Sequence, residues 1–195
     1  MIDLTNAPIA EAVPRLLQWG SELTPTLGGV TQRLDRIGSR HAIDVQMPPM
    51  RVEAEGRRWI ARLLRAKQEG GRIAFPQVDF QPGPCGRPTV GAVTTAGRTI
   101  PITGATPRYA IREGQWLSVT HGPRSYLYCA TAQVVLDGSG AGAVPVDVLL
   151  RSPLAVGEAV EIGRPVIEGW LSGGDEWTLE RSRTVGLGFT IVERA

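Results

Sequence analysis

Chemistry in a chain of this kind needs a base near a nucleophile, or a cluster of side chains able to hold a metal. The two histidines, His41 and His121, stand far apart, and neither belongs to an H-x-H or H-E-x-x-H pattern. Each reads as an ordinary core or surface residue, His121 within a His-Gly-Pro turn. The aspartates and glutamates show no spacing that demands a paired acid and base. Cys85 and Cys129 have no C-x-x-C companion and make no disulfide framework, so they read as free thiols of a reducing compartment. No catalytic residue, metal or cofactor is expected.

Three further groups could bind something. The stretch Asp137-Gly-Ser-Gly-Ala-Gly142 has the glycines of a phosphate-cradling loop. The next residues, Ala143-Val-Pro-Val-Asp-Val148, have the look of a strand rather than a helix whose N-terminus could hold the phosphate. A hairpin turn is the better reading. Arg58, Arg62 and Arg65 lie on the polar faces of a helix and suit a solvated or inter-subunit surface. DNA contact is disfavoured because no stacking aromatics interleave with them. Trp116, Tyr126 and Tyr128 could line a sugar-binding groove if exposed on one face. Strand packing is the commoner role for such residues.

The elements that carry these residues are mostly short strands. Among 195 residues there are 24 Gly and 15 Pro, with 42% hydrophobic residues, a composition of many turns around a real core. A net charge of +2 from 21 basic and 19 acidic residues creates no field that selects nucleic acid or an anionic membrane. Asp3, Glu11 and Arg15 interrupt the apolar residues of the first seventeen positions, so no signal peptide or membrane span is expected there.

From Ile9 to Ile43 the chain reads as strands broken at Pro14, Pro25, Gly28-Gly29 and Gly38. Residues 41–47 place Ile43, Val45 and Met47 on one strand face before Pro48-Pro49. Residues 53–67 predict the single long helix, with Trp59, Ile60, Leu63 and Leu64 as its apolar stripe and Gly70-Gly71 after it. A strand over 72–80 leads into the Pro- and Gly-rich crossing 81–88. Strands are then expected over 99–102, 115–120, 125–135, 143–149 and 159–162, the scale of a small OB or SH3-like barrel. Two or three more close the chain, including 176–179 and 187–192.

In order along the chain, Leu27-Gly-Gly-Val-Thr-Gln32, Arg36-Ile-Gly-Ser-Arg-His41, Val45-Gln-Met-Pro-Pro-Met50, the Trp59 helix, Arg112-Glu-Gly-Gln-Trp-Leu-Ser118, Val148-Leu-Leu-Arg-Ser-Pro153 and Gly188-Phe-Thr-Ile-Val-Glu193 resemble the distal tail proteins of siphophages. The chain departs from that pattern in having His41 where such proteins often show Trp, and in a shorter crossing over 81–88. The resemblance implies a mainly β fold. Residues 1–88 would form a galectin-like β-sandwich with one α-helix and a ring-forming belt, residues 89–163 an inserted OB-like barrel, and residues 164–195 strands returning to the first module.

It also implies a non-enzymatic virion protein, assembled in the host cytoplasm, that forms a homohexameric ring at the tail tip. Its partners would be further copies of itself, the tail tube protein, the tail-tip hub protein and receptor-binding or fibre proteins, with no specific nucleic acid and no membrane insertion. The alternative is a carbohydrate-binding adhesion module of a tail tip.

Overall fold

The computed structural model describes residues 1–174, 176–177 and 183–194. The fold is mainly β, with one α-helix among the described residues. Its largest sheet has six strands in the order Ile2–Asp3, Gly71–Ala74, Val166–Gly173, Gly188–Glu193, Arg40–Gln46 and Glu11–Leu17. The first pair is parallel and the others antiparallel. This sheet takes strands from the first 74 residues and from the end of the chain.

Gly188–Glu193 shows why these residues form a strand. Phe189, Ile191 and Glu193 are buried on one face while their neighbours are half-buried, the period of two that a pleated strand imposes. The expected strand around 41–47 is Arg40–Gln46, and Ile43, Val45 and Met47 are all buried as the alternation required. His41 shares their parity and is buried with them. Pro14, expected as a break, lies inside Glu11–Leu17. That strand is the outer edge of the sheet, where a missing N–H costs no ladder bond.

The helix runs Arg57–Glu69, preceded by a π-helical turn, Val52–Gly56. Trp59, Leu63 and Ala66 are its buried positions, Ile60 is half-buried and Leu64 is exposed, so the stripe follows i, i+4, i+7 and leaves Leu64 beside it. Gly70 ends the helix at φ 78°, a conformation that favours glycine.

The remaining strands form smaller sheets. Gly86–Val90, Thr99–Ala105 and Gly142–Pro145 make one. Trp116–His121 pairs with both Arg124–Cys129 and Val160–Glu161 in another, and Ala110–Ile111 meets Val134–Val135. Among the described residues these pairings do not close into a barrel. Buried apolar residues fall into two clusters. The first core unites Leu4, Ile43, Leu63, Ile73, Ile167 and Ile191 with a single fully buried residue of the inserted stretch, Leu127. The second core comprises Val90, Ile100, Leu117, Tyr128, Val144, Ile162 and neighbours, all from between Cys85 and Ile162.

Several expected strands are shorter than the apolar runs suggested. The strand over 72–80 stops at Ala74, before Pro76 and a turn in which Asp79 has φ 56°. The run 125–135 divides into Arg124–Cys129 and Val134–Val135. The run 143–149 ends as a strand at Pro145: beyond it the Val146 N–H bonds the Arg98 carbonyl, Val146 bridges Ala130, and the Asp147 N–H bonds the Cys129 carbonyl at 3.0 Å. The glycine loop at 137–142 is a turn leading into a strand: Asp137 Oδ1 accepts the N–H groups of Ser139 (2.8 Å) and Ala141 (2.9 Å). The strand expected over 176–179 falls partly outside the described residues, and Glu176 and Trp177 are not in a strand.

Leu63→Ala removes a fully buried side chain from the helix–sheet contact and should cost roughly 2–5 kcal/mol in urea unfolding. Leu64→Ala, one position along, should cost about 1 kcal/mol or less. Equal losses would show that the helix packs through the wider stripe.

Candidate functional site

The densest polar construction lies where the two cores meet. In the hairpin strand Arg124–Cys129, one edge pairs with Trp116–His121, and the N–H groups of Ser125, Leu127 and Cys129 point away from that partner. No strand among the described residues receives them. Glu168 accepts the Ser125 N–H, Glu193 Oε1 the Leu127 N–H at 2.8 Å, and Asp147 Oδ1 the Cys129 N–H at 2.9 Å. Three carboxylates at alternate residues thus occupy the place of a neighbouring strand.

Glu193, 2% exposed, does the most. Besides Leu127 it accepts the His41 N–H at 2.7 Å and a two-point contact from Arg151, Nη1 at 2.7 Å and Nη2 at 2.9 Å. Arg151 Nη2 also donates to the Leu127 carbonyl at 3.0 Å, and its guanidinium covers the rings of Tyr126 and Tyr128. His41 Nε2 meets Asp147 Oδ2 at 2.7 Å, while Nδ1 lies 3.3 Å from Glu193 Oε2, in ion-pair reach but poorly aligned as a hydrogen bond. Its ring stands edge-on to Trp116 at 5.0 Å, and Phe75 packs against the same indole.

Burial works against a charge on His41, but the facing Asp147 and Glu193 carboxylates outweigh it and lift the pKa to about 9. Burial also opposes the Glu193 charge, and Arg151 with His41 overrides it, holding the carboxyl below its usual range. Burial raises Glu168, which has weaker compensation. Cys129, beside Asp147, is pushed up to about 11 by burial and by that negative charge, the reverse of an activated thiol. This cluster is built to hold protons and backbone in place, with Glu193, Arg151 and His41 almost wholly buried and Asp147 partly exposed at its edge.

The residues singled out for binding lie elsewhere or inside. Tyr126 and Tyr128 are buried under Arg151, and Trp116 is half-buried between His41 and Phe75, so the three do not form an exposed platform for a sugar. Arg58, Arg62 and Arg65 are exposed on the helix: Arg62 lies over Trp59, and Arg65 pairs with Glu69 at 3.2 Å. No group of three metal-ligating side chains occurs among the described residues.

A second feature projects from the sheet. After Glu11–Leu17 the chain makes a two-stranded hairpin, Ser21–Leu23 with Gln32–Leu34, that joins no larger sheet among the described residues. Its pairing puts Leu23 and Leu34 on one face and Glu22 and Arg33 on the other. Leu27 is 98% exposed and Val30 86%, with Trp19, Leu23 and Ile37 exposed around them. Alternating Gly and apolar residues over 19–37 marked strands and turns in the sequence, but nothing local marks them as projecting away from both cores.

Because the His41 pKa is raised on folding, the stability it contributes is fully present below about pH 6.5 and is lost as pH rises through about 9. Urea midpoints should therefore fall between pH 7 and 10 in the native protein. His41→Gln should lower stability at pH 7 and flatten that fall; a variant with the native slope would place the titration on another group.

A scan against protein-family models gives no match for this chain, and a search of curated proteins gives none either.

Proposed function

We propose that this chain is a structural ring component of the distal end of a long phage tail, joining the tail tube to the hub and receptor-binding apparatus. The observation that carries this reading is the projecting hairpin. An isolated two-stranded hairpin is marginal in water, and large apolar side chains left uncovered mark a surface meant for another chain. In a closed ring each subunit needs two different, complementary surfaces, and an arm reaching from one copy to the next supplies one of them. Within this reading the six-stranded sheet and its helix belong to a galectin-like sandwich, and the stretch 89–163 is an OB-like insert. The chain is a non-enzymatic virion protein, assembled in the host cytoplasm, with the tube, hub and fibre proteins as its neighbours. The buried tyrosines weaken the adhesion alternative.

Native mass spectrometry and negative-stain images of the full chain test it. Rings are expected, and Leu23→Ser, Leu27→Ser and Val30→Ser together should leave a folded monomer. A native chain that stays monomeric at high concentration, or a triple variant that still closes rings, would count against the arm.

The helix arginines give a separate measure. Replacing Arg58, Arg62 and Arg65 with Ser should leave the melting temperature nearly unchanged, since exposed ion pairs contribute little. If they bridge subunits, ring formation should weaken in the variant, and the native ring should lose stability with added salt. Equal assembly at low and high salt, in both proteins, makes them a solvated face.

A further inference from the structure

Where the hairpin's base meets the second core there is a crevice of about 270 Å³, floored by Leu16, Val148 and Leu149. Its polar lining is unequal in donors and acceptors. Arg33, Arg36 and Arg98 bring guanidinium donors and Gln18 and Ser39 groups that can donate or accept, while the carboxylates lining it among the described residues are Asp35 and Asp147. Both are already used. Asp35 takes Arg33 Nε on Oδ1 at 3.1 Å and Arg98 Nη2 on Oδ2, and Asp147 takes the Cys129 N–H on one oxygen and His41 on the other. Ser39 Oγ accepts the Trp19 N–H at 3.2 Å, leaving its proton for another acceptor. Arg36 has no partner among the described residues.

Three guanidiniums thus line a partly enclosed space whose two carboxylates are committed. We propose that this crevice is an oxyanion site, taking a phosphate or carboxylate group between Arg36 and Arg98. Planar forks of this kind match two oxygens of one anion at once, which neutral donors and single ammonium groups do less well. The ligand would touch the hairpin base through Arg33 and Arg36 and the second core through Arg98, so its binding joins two parts otherwise linked here by the Arg98–Asp35 pair. This site stands apart from the ring reading, since it rests on donors and acceptors rather than on the apolar arm.

The probe is inorganic phosphate, titrated into the full-length protein at ionic strength held constant with chloride and followed by amide NMR. Saturable shifts at Ser39, Arg98 and Leu149 are expected. Arg36→Gln, which removes an exposed and unpaired side chain, should keep the native melting temperature and weaken phosphate by about tenfold or more, the equivalent of one charge-assisted bond. Arg98→Gln should weaken phosphate likewise, with a small loss of stability from the broken Asp35 pair. Shifts that chloride reproduces, or equal phosphate affinity in native and Arg36→Gln protein, overturn the site. The source of the anion is then read from assembly. Oligomers that dissociate in saturating phosphate, and not in matched chloride, identify a carboxylate side chain of a second copy. Oligomers that persist, or a chain monomeric throughout, identify a free anion.

Discussion

The Glu193 carboxylate is the point through which the two cores become one structure. A buried carboxylate is costly unless nearly every lone pair is met, and here the donors come from three distant places: the His41 N–H, the Leu127 N–H and the Arg151 guanidinium. Move the second core by an ångström and several of these bonds fail together. The same carboxylate, with Glu168 and Asp147, closes the free edge of Arg124–Cys129. Apolar packing between the cores is thin by comparison, since Leu127 is the one fully buried inserted residue in the first core. Relative placement therefore depends on geometry that only matched charges and backbone donors provide.

Much of the first core was legible because its elements are periodic. Trp59, Ile60 and Leu63 announce a helix, though Ala66 rather than Leu64 completes its buried face, and Phe189-x-Ile191 and Ile43-x-Val45 announce strands with one face inward. The same parity carries Glu193 and His41 onto the buried face, although His41 reads in the sequence as an ordinary core or surface residue and Glu193 carries no local mark of its role. Their partners were not readable either. Arg151 is 42 positions from Glu193, and His41 is 152 from it, and no local pattern encodes a pairing at that range. The shortened strands have local causes: Pro76 follows the end of one run, and beyond Pro145 the other divides its backbone bonds between Arg98 and Cys129 instead of continuing one ladder.

The hairpin obeys a different logic from either core. Its polar face is tied down at the base, where Asp35 meets Arg33 and Arg98, while its apolar face and tip have nothing beneath them among the described residues. Within a core such residues would be selected for fit against neighbours of the same chain. Here the fold fixes only where the arm begins, and its apolar side chains are left for a surface the chain itself does not supply.

The strand order of the main sheet also sets a timetable. Gly188–Glu193 is interior, flanked by Val166–Gly173 on one side and Arg40–Gln46 on the other. A ribosome delivers Arg40–Gln46 early, yet its partner on that side emerges far later, after the whole stretch between Cys85 and Ile162 has had time to collapse around its own core. Until then Ile43 and Val45 lack their cover, and the Leu127 and Cys129 edge lacks one of its carboxylates. Completion of the sheet thus waits on Gly188–Glu193, and a chain cut short of it presents open edges rather than a finished subunit.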